Sequence, residues 1–560
     1  MKRLSSTNLW LFHIRFPWHP ALAAVFLLCL FFCGSAGCNR TEQIPQITGA
    51  YQPNKNRSVT FNKDIAPIIY DKCIGCHRPG QTGPFSLVTY KDIAKRAKTI
   101  DAVIDSGYMP PWKPVNHEIE FTNDRRLSKD QKQKLKDWIA AGKPKGEGDP
   151  PAPPKFSDGW TLGKPDVVVE MRKGFEVPAA GKDIYRSFVF PLALKEDKWV
   201  KAIEYRPTAT SAVHHAIFFS DPTGNARKMD GSDGKAGIEG MGFLALGGDA
   251  AQAADSGRGG FFRNFRGGQN QQGASRSNAA TAGLGGYVPG STPSRLPGDL
   301  ALPLPAGSDI VIQTHFHPSG KAETEKGKLA IYFGDKEPSQ KIVDIQVPAL
   351  FSVGKGLKVP AGEANYKIQE SYTLPTDIKL ISVGAHAHYI CRAVTMTAKL
   401  PDGKKKDLLK IDDWDLDWQD RYYFKKPIVL PTGTEISTEL VYDNSANNPE
   451  NPNNPPKEIR WGRQSGDEMG SASLQVIAAE ESDRPELESN IRRYVVQSLT
   501  QGSFVDLLMQ LDTNRDGGLQ RDEAPPRMLR RFDMLDRNGD GKVVPEELQI
   551  LERLSGLRRN

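Results

Sequence analysis

Hydrophobic and polar positions change their spacing twice along this chain. Between residues 59 and 145 the apolar positions recur at helical intervals. A stretch beginning at Phe61 leads into Cys73, and a second helix is expected from Tyr90 to Ser106. Ser128 caps a third, on which Leu135, Trp138 and Ile139 share a face before Gly142 ends it. Gly and Pro crowd residues 143–165 and mark a boundary. From about 166 the texture turns to short β-rich runs between Pro and Gly, such as Val167-Val168-Val169 and Asp309–Phe316. In the second of these Ile310, Ile312, Thr314 and Phe316 form one face, and Val311, Gln313, His315 and His317 the other. A further β-rich block spans about 340 to 480, and beyond 500 the pattern is helical again.

The expected fold class is therefore multidomain. A small all-α domain occupies 59–145, two consecutive antiparallel β-sandwiches (jelly-roll-like) occupy 166–335 and 336–480, and a helical pair fills 500–560. Linkers are expected at 39–58, 146–165 and 481–499. Residues 225–290 are dominated by Gly, Ser, Asn, Gln, Ala and Arg, which cannot bury enough apolar surface to offset chain ordering. A disordered insert is expected there. A charged content of 25% and a formal charge of +7 over 560 residues give no case for nucleic acid. The Arg-Gly-Gly pieces at Arg258 and Arg266 read as flexible loop.

The first 38 residues read as an export leader. Lys2, Arg3 and Arg15 precede an apolar run from Ala21 to Cys33 that is too short to span a bilayer comfortably. Ser35-Ala36-Gly37-Cys38 resembles a bacterial lipoprotein box, departing at Ser35, where Leu is usual. A lipid on Cys38 would hold the protein to a membrane of the cell envelope, facing the periplasm.

Cysteine is sparse: Cys29, Cys33 and Cys38 lie in the leader, Cys73 and Cys76 form one motif, and Cys391 stands alone. A disulfide framework is not expected. Cys73-Ile74-Gly75-Cys76-His77 has the spacing for covalent c-type haem: two thiols reach two vinyl carbons and the next imidazole reaches the iron. A structural zinc site would want a second Cys pair. The helix carrying Trp138 resembles the last helix of small class I cytochromes c. Met109 stands at a distance typical of that family's sixth ligand, with His117 as its competitor, and a thioether there raises the potential.

Six of the ten histidines sit in tight groups: His214-His215, His315-Phe316-His317 and His386-Ala387-His388. An HxH pair on a strand puts both imidazoles on one face, a two-point metal clamp. Adjacent His214 and His215 point oppositely on a regular strand and serve one ion only at a strand end or bulge. Imidazole alone suits copper, zinc or iron.

These groups, with Gln313-Thr314-His315 and Asp467-Glu468-Met469, resemble in order the motifs of the copper type II, ascorbate-dependent monooxygenases. That family includes peptidylglycine α-hydroxylating and dopamine β-monooxygenases. The resemblance covers about 166–480. It implies one electron-transfer copper on His214, His215 and His315. It implies an oxygen-activating copper on His386, His388 and Met469, the two facing each other across a cleft between the sandwiches. His317 would be spare. Two departures stand out. The family's disulfides are missing, and its substrate-carboxylate clamp of Arg, Asn and Tyr is replaced by Gly384, Ser471 and Ser473. Substrate class therefore does not carry over. A multicopper oxidase is disfavoured because no His-Cys-His motif exists.

Asp512, Asn514, Asp516, Gly518 and Glu523 fit an EF-hand loop with Gly517 at its turn. Asp536, Asn538, Asp540, Lys542 and Glu547 fit another with Gly541. Leu519 and Val543 hold the apolar position that pairs two such loops, and Pro525-Pro526 favours a structural calcium unit over a switch. The combined expectation is an exported copper monooxygenase using O₂ on an unidentified organic C–H bond. Its electrons would come from ascorbate or a redox protein, through its own haem. The rival expectation is a non-catalytic haem and copper electron carrier.

Overall fold

The computed structural model describes residues 59–548 with short gaps and one long one, 240–281; positions 1–58 and 549–560 fall outside it. The leader, Cys38, His117, Asp512, Asn514 and Glu523 lie outside the described residues. The chain is multidomain, with N-terminal helices, antiparallel sheets in two β-rich regions and a C-terminal EF-hand region.

The N-terminal helices are Ala66–Lys72, Tyr90–Asp105 and Lys129–Ala140. Thr89 and Ser128 each close a capping box, accepting the N–H of Asp92 at 3.2 Å and of Gln131 at 3.1 Å. These bonds satisfy amides that the helix itself leaves unpaired. Phe61, Ile69, Ile93, Leu135 and Trp138 make the core, and the buried Trp138 donates its Nε1–H to Pro144 O at 3.0 Å.

In the first β-rich region a four-stranded sheet runs Val167–Glu170, Lys328–Phe333, Lys198–Arg206, Leu302–Leu304. A five-stranded sheet runs Ile238–Glu239, Ile184–Pro191, Asp309–Phe316, Val213–Asp221, Ala282–Tyr287. Val200, Leu329 and Ile331 of the first sheet share one core with Phe188, Ile310, Ile312 and Phe316 of the second. The alternation along Asp309–Phe316 thus sends Ile310, Ile312 and Phe316 inward. Val311, on the other face, is covered by Ala226 and Ile238.

The second region repeats the plan. One sheet is ordered Val343–Val347, Gly470–Ala478, Ile378–Ala387, Arg421–Leu430, and the other Tyr366–Thr373, Glu435–Tyr442, Cys391–Lys399, Lys405–Ile411. Ile345, Val383 and Leu474 meet Ile368, Val394 and Leu440 between them.

Several boundaries differ from expectation. The insert is built at both ends. Residues 225–239 form the helix Asn225–Met229 and the strand Ile238–Glu239, and Ala282–Tyr287 pairs with the strand Val213–Asp221. Local polar contacts order the first end despite its composition: Asp221 accepts the N–H of Ala226 at 2.9 Å, and buried Arg186 pairs with Asp233 at 2.7 Å. The expected linker 481–499 belongs to the helix Arg484–Gln501, where Leu487, Ile491 and Tyr494 form a stripe against the second core. Within the expected linker 146–165, Trp160 is buried beside Tyr332 with the Arg206 guanidinium 4.1 Å from its ring centre. Finally, part of 59–145 leaves the helical unit. Ile119 and Phe121 enter the core of the second region, with Phe121 bridged to Phe424 on the edge strand Arg421–Leu430. Apolar residues two apart suit a strand edge, which this segment covers.

At the C-terminus Leu519 and Val543 exchange both backbone hydrogen bonds at 2.9 Å, joining the two loops. Among the described residues no helix is long and apolar enough to cross a membrane.

Candidate metal centre

His214, His215 and His315 come together with ligand atoms all within 4.8 Å of one another. A bulge makes this possible. Val213 pairs with Phe316 and His215 with His315, so His214 is the extra residue and turns to the same side as its neighbour. The Nδ1 atoms of His214 and His215 are 3.1 Å apart. Two nitrogens at that spacing subtend about 100° at an ion bound at the usual 2.0–2.1 Å. The outer nitrogens face carboxylates: His214 Nε2 lies 3.4 Å from Asp417 Oδ1, and His315 Nε2 lies 3.1 Å from Asp183 Oδ2. Carboxylates so placed would orient the rings around a bound ion. The Nδ1 of buried His315 has no hydrogen-bond partner, and its ring lies flat on Tyr185 at 4.3 Å.

Asp183 also binds His317 Nδ1 at 2.8 Å and the hydroxyl of Ser465. Burial works against its charge, but hydrogen bonds from His315 and Ser465 hold the carboxyl well below the usual range. His317, half exposed, steadies Asp183 and stands outside the triad.

His386 and His388 end the strand Ile378–Ala387, their rings 5.3 Å apart. The His388 N–H donates to Glu468 Oε1 at 2.6 Å, and its Nδ1 lies 3.2 Å from Asp467 O, which turns Nε2 toward the centre. Ala387 pairs with Gly470, the residue that follows buried Met469. The ring of His386 is only 6.0 Å from that of His215. Where the resemblance implies two sites across a cleft, the histidine sets here meet in one cluster.

Phe351 packs edge-on to His386 at 5.2 Å from a turn in which Leu350, Phe351 and Ser352 have φ of 48°, 56° and 68°. Non-glycine residues so placed cost about 1–3 kcal/mol each and persist only when held. Gln346 accepts the Leu350 N–H at 3.1 Å, Trp461 donates to Phe351 O at 2.9 Å, and Ser352 donates to Gly470 O at 2.7 Å.

The face that carries His386 also carries Ser382, Gly384, Ser471 and Ser473, by register. Arg421 stands opposite Gly384 and donates to Ser473 Oγ at 3.0 Å and Ser382 Oγ at 3.3 Å. The clamp positions themselves lack a cation, yet a neighbouring strand supplies one. Asp183, Asp417, Phe351 and Arg421 belong to no motif and lie far in sequence from the histidines they serve.

Burial, opposed by Gln419, lowers the pKa of His386 from 6.5 to about 4, and burial with neighbouring histidines lowers those of His215 and His388. Neutral imidazoles are the metal-binding form. A depressed folded-state pKa gives stability that is present above the unfolded value and lost as pH falls through the folded one. Metal-free protein is therefore expected to lose about 3 kcal/mol between pH 6.5 and 4 through His386 alone. Thermal melts across that range check it: His386→Gln should flatten the profile.

In the haem motif Cys73 and Cys76 are free thiols, with Cys73 pushed up to about 12 by burial and by Cys76. His77 Nδ1 lies 3.1 Å from Phe85 O, leaving Nε2 for an iron. A side chain at Gly83 would begin 2.7 Å from Cys76 O and 2.8 Å from His77 Nδ1, so only glycine lets this loop close on the imidazole. Cys76 opens on a cavity of about 260 Å³ whose far wall includes Tyr205, Arg206 and Tyr287. Met109 follows the second helix, its N–H bonded to Val103 O at 3.0 Å. Cys73, Cys76 and His77 thus offer the two thiols and the imidazole nitrogen that a covalent haem would use.

The EF-hand model matches residues 504–523 and 529–551. Calcium binding follows for the tail. Gly517 and Gly541 have φ of 87° and 85°, as the sixth loop position requires. Asp536 accepts the N–H groups of Gly539 and Asp540, Asn538 binds Asp540, and Glu547 accepts those of Arg537 and Asn538. Lys542 bonds Asp516 at 2.7 Å across the pair. No copper monooxygenase or cytochrome c family model matches, and no curated protein does. Solved structures match weakly. The major capsid protein P2 of bacteriophage PM2 is 9% identical over 56% of this chain and 97% of its own, at a TM-score of 0.22. A peptide-N(4)-(N-acetyl-β-D-glucosaminyl) asparagine amidase is 11% identical over 56% and 97%, at 0.23. The Gx strain of infectious bursal disease virus gives 9% over 56% and 73%, at 0.15. Scores this low establish neither a shared fold nor a shared activity.

Proposed function

We propose that this protein is an exported copper-dependent monooxygenase of the cell envelope, with a class I c-type haem domain and two consecutive jelly-roll-like sandwiches. The observation that carries the reading is convergence. Five histidines from three separate strands and their ends meet at one place, with two carboxylates beside them. Copper bound there would supply the reduction of O₂ and the transfer of one oxygen atom to a substrate C–H bond. His214, His215 and His315 would hold one ion, with Asp183 and Asp417 beside their rings. His386, His388 and Met469 would hold the other. Phe351 packs on His386, and Arg421 offers a side-chain cation on this face to an incoming substrate.

Cys73, Cys76, His77 and Met109 would hold the haem, and ascorbate or a redox protein would supply electrons. A lipid on Cys38 would tether the protein, and calcium would stiffen the tail. The rival reading, a haem and copper electron carrier, draws on the packing of Ile119 and Phe121 into the second region, which serves either role. Copper-loaded protein given ascorbate, isotopically heavy O₂ and a panel of small organic substrates is expected to place heavy oxygen in a product. Full copper loading with no oxygen uptake on any reductant would favour the carrier.

A further inference from the structure

The segment Asp412–Asp420 joins the strand Lys405–Ile411 to the strand Arg421–Leu430, and it contacts both residues 108–125 and the histidine cluster. Toward the haem side, Lys113 pairs with Asp413 at 3.2 Å and Asp415 at 3.3 Å, and Arg125 with Asp420 at 2.7 Å. Tyr108, next to Met109, meets the ring of Trp418 edge-on at 6.0 Å. Toward the histidine centre, Asp417 lies 3.4 Å from His214 Nε2. Consecutive residues 417 and 418 thus face the first histidine set and the segment beside Met109 in turn.

We infer that this loop is the electronic link between the haem segment and the histidine centre, with Tyr108 and Trp418 as its aromatic path and Asp417 as its contact to His214. The inference rests on the haem and copper reading above. One electron leaves a ferrous haem, which becomes ferric, and reduces one cupric ion to cuprous; no bond to carbon or oxygen changes. Of the two sides on which the motif approaches the first region, this one ends on a ring nitrogen of a metal ligand. The other, across the cavity beside Cys76, ends on Tyr205, whose hydroxyl is bound to Glu325 at 2.6 Å.

The test uses the full-length holoprotein. Iron and copper content and the haem spectrum are recorded first for wild type, Trp418→Leu and Trp418→Phe. A flash-generated flavin radical then reduces the haem, and its re-oxidation by cupric ion is followed optically. Wild type and Trp418→Phe are expected to show a fast re-oxidation phase that Trp418→Leu loses, at unchanged metal content and midpoint potentials. Trp418→Leu keeping that phase, particularly if Tyr205→Leu loses it, overturns the link while leaving the enzyme reading intact. Wild-type protein lacking haem or copper overturns both, before any variant is compared.

Discussion

Met469→Ala is expected to abolish oxygen-dependent turnover and to leave the haem spectrum and potential unchanged. In the proposed site Met469 is the one soft ligand; it is buried and directly precedes Gly470, which pairs with Ala387. A thioether favours Cu(I), the state that must meet O₂, and alanine offers no donor. Truncating a buried methionine also costs about 2–5 kcal/mol of stability, which alone could lower activity. Met469→Leu separates the effects, because a volume-conserving exchange costs less than about 1.5 kcal/mol and still removes the sulfur. Both variants should lose turnover, and only the alanine variant should melt appreciably lower. A leucine variant that turns over like wild type would remove Met469 from the site.

The second large effect concerns the haem. Cys73→Ser combined with Cys76→Ser should abolish covalent attachment, so that acid-acetone extraction leaves no haem absorbance on the denatured chain. Wild type should retain it fully. The change is all-or-none because attachment needs the thiols, whereas His77 alone offers only an exchangeable ligand. Copper content should stay the same, since the helical core around Phe61 and Trp138 is distinct from the cores that position the histidines. Haem that extracts from wild type as readily as from the double variant would count against the motif.

What was legible in the sequence was mostly local. The caps at Thr89 and Ser128, the alternation along Asp309–Phe316 and the Gly turns of the calcium loops need only neighbouring residues, so spacing reveals them. At His214 the sequence left a strand end or a bulge open, and the pairing of Val213 with Phe316 and His215 with His315 makes it a bulge. Other features depend on chain separation. Asp183 reaches His315 and Ser465, and Asp417 reaches His214, across distances that no motif spans. Arg421 takes its place through the pairing of two strands, invisible when Gly384 is read alone. Composition misjudged residues 225–239 and 481–499. In the first, single polar contacts such as Arg186 with Asp233 order a Gly-rich stretch; in the second, a sparse apolar stripe suffices to dock a helix.

The most direct measurement is the metal content of the purified protein by mass spectrometry, wild type beside His386→Ala. The account predicts about one iron and two coppers per wild-type chain, falling to about one copper in the variant. Iron without copper, or zinc at the histidines, would contradict it.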